Sequence, residues 1–178
     1  MKELLEIVWK QIEDDYQDGL IHAERCMQAS FYRALRDLDV PSDGLRSIFV
    51  EPYMSVEGTT YPDIVVCEGD EIRAIIELKC VPHWYSEFKD DLQKLAKFER
   101  SGTEGFHLEI EPCTGKYTDR QFKITNETLY VFAVITRHDA EAVSTDLFDK
   151  YEGPSRFVHL IGKIPGEKNA GSKQILII

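Results

Sequence analysis

The stretch from Tyr61 to Lys79, YPDIVVCEGDEIRAIIELK, constrains the fold of this chain more than any other. It contains two apolar runs, Ile64 to Cys67 and Ile72 to Leu78, joined by an acidic segment with one glycine. Both runs are rich in β-branched residues, which fit a pleated and buried surface. The sequence therefore predicts a buried β-hairpin around which the other elements pack.

The two-residue repeat of a strand divides the second run between the two faces of the sheet. One face is continuously apolar and can carry a helix; it consists of Ala74, Ile76 and Leu78. The opposite face is charged towards the end of the strand; it consists of Ile75, Glu77 and Lys79. The pattern predicts an apolar core on one side and a charged group of residues on the other.

Whether Asp63 joins the face of Glu77 depends on the link between the strands, because a slip of one residue inverts the faces. A three-residue loop over 69–71 would place Asp63 opposite Glu77, whereas a two-residue loop over 69–70 would place it opposite Ile76. We expect the three-residue loop or an equivalent β-bulge. In that register, Asp63, Glu77 and Lys79 converge at the end of an otherwise hydrophobic hairpin.

Such a convergence of Asp63 and Glu77 needs positive charge. At about 4 Å and an effective dielectric constant near 20, two carboxylates repel each other by roughly 4 kcal/mol. Lys79 supplies one positive charge, and a hard divalent cation that takes oxygen ligands and keeps several waters is the natural second. These residues predict a Mg²⁺ site, with Mn²⁺ as a substitute, that can activate a water and stabilise charge on a phosphate.

Pro62-Asp63 followed by Glu77-Leu78-Lys79, at the end of the next apolar strand, resembles the signature of the PD-(D/E)xK nuclease superfamily. The resemblance implies an α/β domain with the restriction-endonuclease-like fold, a mixed β-sheet flanked by helices on both faces. It also implies that Asp63 and Glu77 ligate the metal and that Lys79 positions or activates the water. It covers the chain from Glu24 to Gln93.

The same resemblance implies further site residues. The superfamily commonly has an acidic residue on an N-terminal helix, for which Glu24 is the candidate. Helix spacing places Gln28, four residues later, on the same face, so Gln28 is a candidate for contact with the waters of the metal or with the nucleic acid backbone. The main-chain carbonyl of Leu78 is a candidate metal ligand, and Gln93 and Lys94 on the following helix are candidates for substrate contact. A surface pair for Glu24, and a solvated helix face for Gln93 and Lys94, remain the alternatives.

The remaining chain suggests more elements of the same domain. Helices are predicted over 2–16, 21–38 and 87–100, the last capped by Ser86, with a helical piece over 140–151. Further strands are predicted over 47–51, 129–136, 156–161 and 174–178, and Glu51 is an additional acidic candidate at a strand end. The acidic run 13–15 is interpreted as a solvated face. The polar segment 101–128 is an inserted hairpin, a substrate-specific element or a dimer contact.

Length and composition indicate a single domain spanning 1–178. The chain has a mass of 20.5 kDa, with 43% hydrophobic and 30% charged residues, as in globular proteins. No apolar run approaches the length of a membrane span, and the N-terminus lacks the regions of a signal peptide. Four cysteines lie far apart without a C-x-x-C pair, which indicates reduced thiols. We therefore expect a cytoplasmic protein with no membrane association.

The net charge of −11 is unusual for a protein that acts on nucleic acid, since affinity for phosphates normally comes from Lys and Arg. Two functions stay open. One is a metal-dependent nuclease that hydrolyses phosphodiester bonds in nucleic acid, with DNA as the favoured substrate. The other is a catalytically inactive interaction or assembly module of the same fold. Cleavage of both strands would favour a homodimer, and a protein partner could supply affinity for DNA.

Overall fold

The fold is built on one mixed β-sheet. In the computed structural model, which describes residues 1–38, 46–81, 88–102, 105–136, 156–163 and 174–177, the main path of the sheet has six strands. In spatial order these are β1 (Arg46–Val50), β4 (Ile64–Glu68), β5 (Glu71–Val81), β7 (Phe122–Thr136), β8 (Phe157–Lys163) and β9 (Gln174–Ile177). The short β6 (Gly105–Phe106) pairs with β7, while β2 (Met54–Ser55) and β3 (Thr59–Thr60) form a separate ribbon.

The strand directions explain how the sheet is connected. Strands β1, β4 and β5 are antiparallel neighbours, whereas β5, β7 and β8 run parallel, and β9 returns antiparallel to β8 at the edge. A parallel pair needs a crossover, and the segment between β5 and β7 contains the helix α3 (Lys89–Arg100). The predicted α/β class with a mixed sheet is confirmed.

Helices cover both faces of the sheet, as predicted. The helices α1 (Lys2–Gln17) and α2 (Glu24–Asp37) pack on one face, and α3 packs on the other. The hairpin residues buried under α1 and α2 are Ile64, Val66, Ala74, Ile76 and Leu78. Those buried with α3 include Val65, Cys67, Ile72 and Ile75. The apolar face expected from the alternation is therefore confirmed, and it carries two helices.

The hairpin link is the expected β-bulge and not the three-residue loop, which was the other form of the same prediction. Glu68 pairs with Glu71 across a two-residue turn, in which Gly69 has a φ of 60°. The register then shifts, so that Val66 pairs with Ala74 and Arg73 is the extra residue of a β-bulge. The bulge restores the pairing that a three-residue loop would have given. Because Ile64 pairs with Ile76, the same register continued by one residue places Asp63 beside Glu77.

Ion pairs hold the bulge residue at the sheet surface. The guanidinium of Arg73 donates to Glu127 and lies 3.3 Å from Glu71 and 3.5 Å from Glu68. Glu127 belongs to β7, on the other side of β5. The side chain of Arg73 therefore ties the irregular point of the hairpin to both neighbouring strands.

The acidic end of α1 is not wholly solvated, contrary to expectation. The carboxylate of Asp15 is buried and lies 2.8 Å from the guanidinium of Arg33 on α2. Gln11 donates a second hydrogen bond to Asp15 at 3.0 Å. The prediction is wrong for Asp15 because α2, which the local pattern of α1 does not reveal, brings a cation to it.

The polar segment after α3 forms a hairpin beside the sheet. After β6, Ile110 bridges Tyr117 in antiparallel fashion, and the N–H of Glu111 donates to the carbonyl of Lys116 at 2.9 Å. The predicted strands over 47–51, 129–136, 156–161 and 174–178 correspond to β1, β7, β8 and β9. The predicted Ser86 cap and the helical piece over 140–151 lie outside the described residues.

Candidate functional site

Asp63 lies just before β4, and its carboxylate reaches across to β5. Its Oδ2 atom accepts a hydrogen bond of 2.6 Å from the main-chain N–H of Leu78. Burial raises the pKa of Asp63, and the nearby charges of Glu24 and Asp91 raise it further, against the Leu78 bond and Lys94. The structure thus brings Asp63 directly onto the strand that carries Glu77 and Lys79.

Glu77 is the most enclosed acid of the site, with 3% of its surface exposed. The ammonium of Lys94 lies 2.9 Å from Oε1 and 3.0 Å from Oε2, and only Oε2 accepts a hydrogen bond. Burial raises the pKa of Glu77 to about 8; the charge of Asp63 acts in the same direction, and Lys94 opposes both. The Oε1 atom is therefore held by the charge of the Lys94 ammonium and not by an aligned hydrogen bond.

Lys79 lies between two carboxylates on two different helices. Its Nζ atom is 3.2 Å from Asp91 on α3 and 3.6 Å from Glu24 on α2. Burial alone lowers the pKa of Lys79, but the charges of Asp91 and Glu24 outweigh it and raise the pKa. The end of β5 therefore joins the helices that cover the two faces of the sheet.

Asp91 is a site residue that the sequence analysis missed. Its position in the first turn of α3, three residues before Lys94, places both side chains on one flank of the helix. The spacing was visible in the sequence, but an acid in a first turn is ordinary, because it favours the helix dipole. Only the approach of α3 to Lys79 distinguishes Asp91 from Asp90.

The predicted contributors from α2 do reach the site. Glu24 accepts a hydrogen bond of 3.5 Å from the N–H of Cys80, in addition to its contact with Lys79. Gln28 donates to the main-chain carbonyl of Asp63 at 3.2 Å and to Glu51 at 3.4 Å. The face of α2 that carries Glu24 and Gln28 therefore packs against the start of β4 and the end of β5.

The two candidates on α3 differ in position. Lys94 donates both to Glu77 and to the main-chain carbonyl of Tyr61, so its ammonium belongs to the cluster. Gln93 is exposed, and its place two residues after Asp91 puts it on a different face of the helix. The structure brings Lys94 to the site and leaves Gln93 at its periphery; a role for either in substrate contact stays a prediction.

The chemistry of the cluster suits a hard divalent cation. Within the described ranges, four carboxylates share two ammonium groups; these residues are Glu24, Asp63, Glu77, Asp91, Lys79 and Lys94. No group of three or more His, Cys, Asp or Glu side chains is arranged to hold a metal ion there. One or two carboxylates suffice for Mg²⁺, which keeps several waters. Asp63 and Glu77 supply two such carboxylates, and their role as metal ligands together with the Leu78 carbonyl stays a prediction.

Two further observations concern the chain as a whole and not the site. In the part of the chain that the structure describes, no helix is both long enough and apolar enough to cross a bilayer. Comparisons with protein-family models, curated proteins and solved structures find no match for this chain.

Proposed function

We propose that this chain is a metal-dependent nuclease of the PD-(D/E)xK class, with a restriction-endonuclease-like fold, that hydrolyses phosphodiester bonds, preferentially in DNA. One observation carries the proposal: the bulge at Arg73 sets the register in which Asp63 lies beside Glu77, with Lys79 on the same strand. If the motif matched by chance, its residues would not be expected to lie side by side at the end of a buried hairpin.

The residues of the cluster have distinct roles in this proposal. Asp63, Glu77 and the Leu78 carbonyl would hold Mg²⁺, which when bound would neutralise charge developing on the phosphate and polarise a water. Lys79, fixed by Asp91 and Glu24, would orient the attacking water by donating a hydrogen bond to it. Lys94 would partly offset the effect of burial by lowering the pKa of Glu77.

The test is the hydrolysis of labelled single- and double-stranded DNA and RNA with Mg²⁺ or Mn²⁺. We expect Asp63→Asn and Lys79→Met to reduce cleavage by about 100-fold or more, the scale of a lost catalytic group. Asp90→Asn and Lys97→Met are matched controls, because both residues belong to α3 but lie outside the cluster; Asp90 is exposed and Lys97 is half-buried. Both controls should cleave like the unchanged protein.

Binding of Mn²⁺, followed as a rise in melting temperature and by spin resonance, supplies a second readout. Asp63→Asn should lose it, and Lys79→Met should keep it, because of these two residues only Asp63 would be a metal ligand. Cleavage that survives in Asp63→Asn would indicate a contaminating nuclease and contradict the proposal. Absence of both metal binding and cleavage in the unchanged protein would contradict it completely.

The pairing of Glu77 with Lys94 favours the alternative function, an inactive interaction module. In such a module the ammonium groups would serve as the cations of the cluster, and no metal would be needed for its structure. The net charge of −11 also fits a role without extended contact to DNA. This alternative predicts metal-independent stability and no cleavage of any of the four substrates.

A further inference from the structure

A second surface feature lies next to the cluster, at the outer end of the sheet. A groove of about 530 Å³ runs between the end of β1 with the turn after it and the hairpin over 107–118. We refer to it as the tyrosine groove, because its lining includes Tyr53, Tyr61 and Tyr117. The hairpin over 107–118 thus forms one wall of the groove.

The tyrosine groove collects most of the exposed apolar side chains of the described chain. Eight large hydrophobic residues are exposed in the described ranges, and five of them line this groove. They are Val50, Tyr53, Tyr61, Ile110 and Tyr117, each 40% to 51% exposed. Scattered exposed hydrophobic residues are normal, but a concentration in one concave place is characteristic of a binding surface.

The charges in the groove are all of one sign among the described lining residues. Glu51 and Glu109 line it, and no described Lys, Arg or His does. Glu51 is exposed and accepts a 3.4 Å hydrogen bond from Gln28. The side chain of Glu109 is 44% exposed, with a 3.4 Å hydrogen bond from Thr118 and the guanidinium of Arg120 at 4.0 Å. Both carboxylates can therefore meet a cation from outside.

We propose that the tyrosine groove binds an extended, basic segment of a partner protein. Arg or Lys side chains of the segment would lie against the tyrosine rings, which attract cations through their faces, and would be balanced by Glu51 and Glu109. The rings of Tyr53 and Tyr61 already lie 5.6 Å apart and tilted, so they present a shared aromatic surface. The charge complementarity selects a cationic ligand.

The position of β1 favours an extended segment. Within the described residues, β1 pairs only with β4 and forms the outer strand of the sheet. Such a strand can accept a further strand through main-chain hydrogen bonds, while neighbouring pockets select the side chains. Ile48, Phe49 and Val50 of β1 line the groove itself, so the added segment would run along it.

Single-stranded nucleic acid is the competing occupant, because its bases can stack on tyrosine rings. Sites of that kind combine aromatic residues with positive charge that follows the phosphates. The described lining of the tyrosine groove has two carboxylates instead, which would repel phosphates. The charge therefore favours the basic peptide.

The test measures binding of fluorescein-labelled degenerate peptide pools by anisotropy. The pools carry Arg, Lys, Leu or Glu at three fixed positions among mixed residues, and an oligothymidine of similar length is measured alongside. We expect the Arg and Lys pools to bind at least about tenfold more tightly than the Glu pool. We expect the double variant Tyr53→Ala/Tyr117→Ala to weaken this binding at least about tenfold, the range of cation–π contacts.

Glu109→Gln supplies a second variant that leaves the aromatic residues in place, and it should weaken the basic pools several-fold. The matched controls are Tyr32→Ala and Glu3→Gln, which remove an exposed tyrosine and an exposed carboxylate from α2 and α1. Both controls should bind like the unchanged protein. Asp63→Asn should do so as well, which separates this proposal from the nuclease activity.

Several outcomes would overturn the proposal. Equal binding of the Arg and Glu pools, or no binding of any pool, would exclude a basic segment as the ligand of the groove. A loss in Glu3→Gln equal to that in Glu109→Gln would attribute binding to the overall negative charge. Tighter binding of the oligothymidine, lost in the double tyrosine variant, would assign the groove to nucleic acid.

Discussion

The two faces of the β4–β5 hairpin differ in what covers the end of β5. On one face α1 and α2 bury Ile76 and Leu78 completely in an apolar core. On the other face α3 buries Ile75 but brings Asp91 and Lys94 to the strand end. Adjacent residues of one strand thus lie in opposite environments.

This difference shows that the alternation of a strand can separate stability from chemistry. On the apolar face, every methylene group that is removed from water stabilises the folded state. The charged face places a carboxylate where water is scarce, at a cost that appears as the raised pKa of Glu77. We expect substitutions on the two faces to differ in magnitude and in their dependence on pH.

The largest effect is expected on the apolar face. Ile76→Ala should lower the free energy of unfolding by about 2–5 kcal/mol, because it leaves a cavity under α2. Urea unfolding measures the change, and Ile7→Ala, at an exposed position of α1, is the matched control with an effect within about 0.5 kcal/mol. An equal effect at both positions would contradict the assignment of the core.

The second prediction concerns pH and Glu77. Its folded pKa of about 8 lies above the ordinary value of 4.5, so its protonated form stabilises the fold below pH 4.5. That contribution is lost as pH rises through about 8, with a slope of at most about 1.4 kcal/mol per pH unit. The unfolding free energy should therefore fall with rising pH in metal-free buffer, and Glu77→Gln should reduce this fall.

The range for this measurement is pH 6.5 to 8.5. Below it, the buried imidazole of His159 contributes an opposite slope, because burial lowers its pKa from 6.5 to about 4. Its contribution is present above pH 6.5 and is lost as pH falls towards 4. An unchanged pH dependence in Glu77→Gln between pH 6.5 and 8.5 would show that Glu77 is ionised throughout.

The smallest effect is expected for Lys94→Met, which removes the cation from Glu77 but keeps most of the packing. At pH 8 it should cost about 1–2 kcal/mol, because a buried carboxylate loses its charged hydrogen bond. At pH 5 it should cost little, since Glu77 is then protonated. In a double-mutant cycle, the effect should fall in the Glu77→Gln background to the part that comes from the hydrogen bond to the Tyr61 carbonyl. Additive effects would mean that the pair contributes nothing.

The fold was largely predictable because its signals are local. The β-branched runs of the hairpin, the apolar run of β7 and the helical spacing of Met27, Phe31 and Leu35 each define an element within a short window. The three-residue loop could not be rejected from the sequence, because a two-residue turn with a bulge at Arg73 gives the same register. Glu127, which holds Arg73, lies far away in the chain.

The candidate site was predictable only in part. The roles proposed for Asp63, Glu77 and Lys79 follow from strand alternation and from the resemblance of their motif, and they stay predictions. Asp91 was missed, and the pairing of Lys94 with Glu77 was not foreseen. Both depend on where α3 packs after a crossover, and helix spacing alone does not fix that position.

The sequence by itself determined the hairpin, the alternation that places Ile76 and Glu77 on opposite faces of the strand, and the acidic residues available to the site. Alternation and hydrophobic burial act between near neighbours, so the order of residues specifies them. Only the tertiary structure decided which cation meets which carboxylate, and that the hairpin over 107–118 forms a groove with β1. These contacts join residues distant in the chain, and their geometry results from the packing of all the layers together.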